Sequence, residues 1–273
     1  MRTTSKLVIG IFTLLAFVSC ETKPRQWVYT KTLALDNIGP IGLLADGDNL
    51  WLSDVDQDRL VKIDKTGKII QEINGLVRPM HIAQDDDNIH IPQFGADNIV
   101  RWDKKSEDFD TVSTNYTLDA PGGVDVGFGL MVVADFFNHR VLVNTQDSSF
   151  VIGKEGNDNS SLYYPTDIKI TQDLLYIADA YNNRVEVYDH DGSYIRTIGW
   201  QEDIKVAAGV EVGNQQIFIT DFHGSRLLVY DQYGRLQQSF NEYLDDPTDV
   251  LVIDDLLYVA NFGGNSLSVF QFK

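Results

Sequence analysis

Apolar and polar residues alternate with strand period through most of the chain. From Pro165 it reads PTDIKITQDLLYIAD, two alternating runs about a short polar turn, and Asp179 closes the second run fourteen residues after the start. The same ungapped spacing joins Pro40 to Asp54, Pro79 to Gln93, Pro121 to Asp135, Ala207 to Asp221 and Pro247 to Asn261. Six units result, starting 39 to 44 residues apart. Leu43, Ile82, Val124, Ile168, Val210 and Val250 stand three residues past the start, and a mostly apolar set stands at five, which is period two. A second run ends in Leu52, Ile91, Val133, Ile177, Ile219 and Val259, and a third begins at Leu60, Ile99, Val141, Val185, Leu227 and Leu267.

The third run leads into D-x-x-G at Asp64 to Gly67, Asp189 to Gly192 and Asp231 to Gly234, the residue pattern of a type I turn. Fourth strands IIQEI, YIRTI and LQQSF follow. Four antiparallel strands in roughly 40 to 45 residues form a propeller blade, so six units predict an all-β, six-bladed β-propeller over residues 26–273. In the sixth unit Lys273 follows the third strand directly, which leaves a sheet edge to be covered. The segment QWVYTKTLAL, residues 26–35, has strand composition and belongs to no unit, and is expected to supply that missing strand.

Residues 1–19 have a different pattern. Arg2 and Lys6 precede LVIGIFTLLAFV, twelve apolar residues where a membrane span needs about 20, so the segment reads as a signal peptide. Cys20, the sole cysteine, follows it and has no disulfide partner. The stretch FVSC-E resembles the lipobox of bacterial lipoproteins, with Phe17 in place of the usual leucine. The resemblance implies lipidation of Cys20, a short tether over residues 20–25, and a place in the bacterial cell envelope, on its periplasmic or outer surface. Removing residues 1–19 takes the balance from 22 basic against 40 acidic residues to a net charge of −20. Such a field repels phosphate backbones, so nucleic acid is not an expected partner. The membrane is expected to be reached only through the anchor.

The stretch from PTDIKI through LLYIADAYNNRVEVYDHDGSYIRTIG closely resembles the NHL repeat, and the resemblance spans all six units. Units one, two and six depart most, with Gln93 and Asn261 in place of the Asp and Asn98 and Ser266 in place of the Arg. The family includes interaction modules, receptor ectodomains and a few enzymes, so the resemblance implies fold more than function. Asp54, Asp135, Asp179 and Asp221 recur with Arg59, Arg140, Arg184 and Arg226 five residues later. A reaction performed once does not explain four copies, and the pair is read as scaffold, with the carboxylate taking amides of the following turn.

Differences between units are more informative about a site. Phe94, Phe136, Phe222 and Phe262 hold the slot after the Asp position, and Phe137, Tyr181 and His223 follow asymmetrically. Packing between blades and an apolar recognition rim are both open for them. In the family, this loop shares a face with the start of each first strand, whose second and third positions should ring the channel mouth. Most are small, which predicts an open mouth, and Met80, His81, Asp167 and Asp249 are the exceptions expected to make polar contacts.

Amidating lyases of the family bind zinc through histidines in the slot after the unit's first residue. Here that slot holds Ile41, Met80, Gly122, Thr166, Ala208 and Thr248, without histidine. Lactonase-like six-bladed propellers place carboxylates and amides around a divalent ion. Asp167 and Asp249, with His81, begin such a set but fall short of six oxygen ligands. The turns ADGDN at 45–49 and DDDN at 85–88 read as solvated turns on the opposite face. The functional expectation is a monomeric binding or scaffolding propeller for a protein, peptide or small ligand. It carries no cofactor, a divalent ion being the one candidate. The alternative is a metal-dependent hydrolase or lyase, lactonase-like or amidating-lyase-like, with its site in the channel.

Overall fold

The computed structural model describes residues 25–273; the signal segment and Cys20 lie outside the described residues. Six four-stranded antiparallel sheets form the propeller, each starting at one of the six repeat units. Strand Trp27–Ala34 pairs with Ser266–Phe272 and completes the sixth blade, as the unpaired edge required. Mutual backbone bonds between Gln26 and Lys273, at 2.7 and 2.9 Å, extend that seam by one residue.

Six apolar clusters hold the ring together, and each lies between two successive blades. Val187, Ile198, Ile217 and Tyr230 belong to the one between blades four and five. Trp27, Phe218, Val259 and Phe270 belong to the one between five and six. Because both sides of a blade are covered, the second strand Leu174–Asp179 is buried at five of its six positions rather than at alternate ones.

The Asp-to-Arg repeat is a structural clamp. Asp54 meets Arg59 at 2.8 Å, Asp135 meets Arg140 at 2.7 Å, Asp179 meets Arg184 at 3.1 Å and Asp221 meets Arg226 at 2.6 Å, always within one blade. The other carboxylate oxygen mostly takes an amide of the loop that leads into the blade, not of the following turn. Gly39, Asp119, Tyr163 and Lys205 donate at 2.7–2.9 Å. Where the acid is absent an amide does the same work: Gln93 accepts from Val77 and donates to Asn98, and Asn261 accepts from Asp245 and donates to Ser266.

One residue of the acidic hairpin turns does more than meet solvent. Asp46 pairs with Lys62 at 2.5 Å and with Lys104 of the next blade at 3.5 Å, so this residue makes an inter-blade contact while Gly47 and Asp48 at the tip stay exposed.

Candidate functional site

Two candidate sites lie on opposite faces. On the loop face, the residues after the second strands of blades three and four take single 3-10 turns, Phe136–Asn138 and Ala180–Asn182, ended by left-handed His139 and Asn183. These turns lift Phe137 and Tyr181 outward, to 48% and 52% exposure. Phe94, Phe136 and Phe137 meet pairwise with ring centroids 5.1–5.7 Å apart. Phe136 reaches Tyr164 at 4.8 Å, and Tyr164 reaches Tyr181 at 5.2 Å and His139 at 4.3 Å. His139 stacks on Tyr163 at 5.0 Å.

Seven rings from blades two, three and four and the loop joining the last two thus form one patch. Tyr164 sits at φ 56°, a region bulky residues rarely adopt, and its amide donates to His139 Nδ1 at 3.1 Å, which ties the patch together. Beside it Glu155, Asn182, Tyr163 and Tyr181 line a shallow cavity of about 360 Å³. Phe222, Phe262 and His223 form a smaller group, with centroids at 6.4 and 4.9 Å.

The second site is on the propeller axis. Two residues past each unit start stand Gly42, His81, Gly123, Asp167, Gly209 and Asp249, so glycine alternates with a polar side chain around the ring. His81 Nδ1 lies 3.8 Å from Asp167 Oδ1 and 3.7 Å from Asp249 Oδ2, and all three residues are buried. Amides of the following blades fix this level. Asp167 Oδ2 accepts from Val210 at 2.8 Å, Asp249 Oδ2 accepts from Leu43 at 2.7 Å, and the His81 carbonyl accepts from Val124 at 3.2 Å. Burial pushes the Asp167 carboxyl up to about 7, against the pull of His81. Burial opposes protonation of His81, yet the two carboxylates outweigh it and raise its pKa.

The small residues at this level close the channel instead of opening it. A Cβ on Gly123 would stand 2.5 Å from the Thr166 carbonyl oxygen, and one on Gly209 would stand 2.5 Å from that of Thr248. Glycine is there because the backbones touch. Thr166 Oγ1 donates to the Ala208 carbonyl at 2.8 Å and Thr248 Oγ1 to the Pro40 carbonyl at 2.9 Å, sealing two further junctions. The expected open mouth on the loop face is therefore absent, and His81 is buried inside rather than at a rim.

A cavity of about 260 Å³ lies on the other side of the triad and extends to the inner hairpins, where Gln84 and the 64%-exposed Phe128 border it. Its wall carries Lys169, whose Nζ meets Glu211 Oε2 at 2.8 Å, and Asp125. Burial raises the carboxyl pKa of both Asp125 and Glu211, and raises it less than it would without Lys169. The burial of Lys169 is outweighed by these acids, so its amine is more basic than usual.

The structure thus gathers His81 with Asp167 and Asp249, and Phe94 with Phe136, Phe137 and Tyr181, while Met80, Phe222, His223 and Phe262 join neither group. Sequence reasoning missed Asp125, Lys169 and Glu211, although all three occupy the slot four past the start, between the apolar slots at three and five, and so point into the channel. It also missed His139, and Tyr163 and Tyr164, which hold the two slots before the unit start where the other units carry no aromatic residue.

Residues 148–247 match a family model described as 6-bladed beta-propeller. No curated protein matches the chain. Among solved structures, a catalytically inactive virginiamycin B lyase from Staphylococcus aureus with quinupristin is 17% identical, with 90% of this chain and 88% of that one covered at a TM-score of 0.67. A gluconolactonase from Xanthomonas campestris is 14% identical, covering 93% and 96% at a TM-score of 0.71. A chain of a nidogen/laminin complex is 15% identical, covering 75% and 80% at 0.63. Likeness at this identity establishes the fold alone.

Proposed function

We propose that the protein is a lipid-anchored, extracytoplasmic recognition propeller of NHL type whose aromatic face binds a protein, peptide or small apolar ligand. The observation that carries this reading is the seven-ring patch with Phe137 and Tyr181 half in solvent. Aromatic residues that serve only as packing would be covered, and exposed rings that contact one another across blades are the composition of an interface centre. Glu155 and Asn182 at the edge of the patch supply polar groups for orientation. The signal pattern over residues 1–19 and the lipobox-like FVSC-E support the anchor at Cys20, and mass spectrometry of the mature amino terminus tests it.

The test of recognition is capture. Wild-type protein and a Phe137→Ser/Tyr181→Ser double variant are compared for cross-linked partners from cell-envelope extracts, at equal amounts of folded protein. Loss of the same partners in the variant, with an unchanged melting temperature, supports the reading; an identical set of partners ends it. A second reading, a hydrolase or lyase working in the channel, is favoured by the charged cavity beside His81, Asp167 and Asp249. Turnover of a lactone panel, lost on Lys169→Met, tests it.

A further inference from the structure

The axial triad has more order than a chance meeting of charges. His81, Asp167 and Asp249 come from alternate blades, two, four and six, at one repeat position, so they approach the axis with pseudo-threefold symmetry. The intervening blades present Gly42, Gly123 and Gly209, whose missing side chains let the backbones close until three polar groups reach a common point. Their ligating atoms all lie within 4.8 Å of one another. The carboxylates are held from behind by amides, Asp167 by Ile168 and Val210 and Asp249 by Val250 and Leu43, all at 2.7–2.8 Å. Such outer bonds fix a ligand's orientation while leaving lone pairs free.

One atom breaks the accounting. His81 Nδ1 has no hydrogen-bond partner although the residue is only 4% exposed, and it faces both carboxylates. A buried imidazole nitrogen left without a partner costs free energy that a native site normally avoids. Its separations of 3.8 and 3.7 Å are slightly wider than the roughly 3.3 Å between two ligands of a tetrahedral ion with bonds of about 2.0–2.1 Å. A shift of a few tenths of an ångström in each side chain closes the difference.

We propose that His81, Asp167 and Asp249 bind one divalent transition-metal ion, zinc or manganese, on the propeller axis. One imidazole nitrogen with two carboxylates suits a borderline ion; calcium takes six to eight oxygens and finds too few here. Three protein ligands leave coordination positions open, and the cavity walled by Lys169 and Glu211 adjoins the triad. The inference concerns the channel and is independent of the aromatic face.

Chelator-treated protein is titrated calorimetrically with zinc, manganese and calcium chloride. The expected result is one equivalent of zinc or manganese per chain with Kd below about 10 µM, no saturable calcium binding, and affinity reduced at least about 100-fold in His81→Gln and Asp167→Asn. His90→Gln, which alters the His90–Asp85 pair elsewhere, should leave binding unchanged. On the unmodified protein, saturation with zinc should move the His81 Nδ1 nitrogen resonance, a readout that survives if a variant fails to fold. No stoichiometric zinc or manganese, or an unmoved Nδ1 resonance at saturation, overturns the site and leaves His81 as a protonated counter-ion between two aspartates.

Discussion

Gln238 clasps Trp27 at both ends of its backbone: the Trp27 amide donates to Gln238 Oε1 at 2.9 Å, and Gln238 Nε2 donates to the Trp27 carbonyl at 3.1 Å. The indole N–H adds a bond to Gln216 at 2.8 Å, and the ring packs on Phe218 and Phe272 at 5.7 and 5.0 Å. The closing strand is thus fastened to blade five as well as to its own sheet. Trp27→Ala should cost about 3–5 kcal/mol and Gln238→Ala about 1–2 kcal/mol in urea unfolding. A melting curve unchanged by Trp27→Ala would mean the seam does not hold the ring.

The clamp in blade three should be exchangeable for that of blade two. Arg140→Ala leaves Asp135 buried without its guanidinium and should destabilise by about 3 kcal/mol. Replacing the pair together, Asp135→Gln with Arg140→Asn, copies Gln93 and Asn98 and should recover more than half of that loss. Chemical denaturation of the three proteins decides the point, and a double variant weaker than Arg140→Ala contradicts it.

Two glycines in one strand should respond oppositely. Gly123→Ala drives a methyl to 2.5 Å from the Thr166 oxygen and should cost about 1–3 kcal/mol. Gly127 has nothing within 4 Å of its Cβ position, so Gly127→Ala should be neutral or stabilise by up to about 1 kcal/mol. Equal melting temperatures for the two would show that the axial contact is looser than described.

Glu186 gives a pH dependence of defined sign. It is buried beside Arg184 at 2.7 Å and accepts from the Tyr188 hydroxyl, and burial pushes its carboxyl up to about 7. A raised folded pKa means the native state holds the proton more tightly than the unfolded chain. Its contribution is therefore full below the ordinary carboxyl value near 4.5 and is lost as pH rises toward 7. The protein should lose on the order of 1–3 kcal/mol between pH 5 and pH 8 through this group, and Glu186→Gln should flatten that slope. A slope of unchanged size in the variant assigns the effect to other groups.

Blade number and strand positions were legible because each rests on a period that recurs six times, and the closing segment because the sixth unit lacks its fourth strand. The structural role of the clamp was legible because the pair recurs in four blades, while its pairing within one blade and its amide donors from the preceding loop came from the structure. The channel was not legible, because smallness at Gly123 and Gly209 has two physical meanings in a sequence. It is space where nothing approaches and contact where a backbone does, and only the neighbour's position distinguishes them. The meeting of His81 with Asp167 and Asp249 depends on equal repeat offset, which the sequence displays, but their convergence depends on how tightly six blades close. Tyr164 holds the slot before the unit start, where Arg78, Ala120 and Asp246 share its left-handed backbone, so its signal was an aromatic ring at a slot that is otherwise non-aromatic.

The seam between Trp27–Ala34 and Ser266–Phe272 also sets an order of events during synthesis. The first strand made cannot pair until the residues near 270 exist. At about 5–20 residues per second it waits roughly ten to fifty seconds with both edges free. Its sequence, WVYTKTLA, places Thr30, Lys31 and Thr32 at the centre, and a lysine flanked by threonines discourages a nascent strand from recruiting a second copy. The residues that finish the ring are thus also those that must stay soluble longest before it exists.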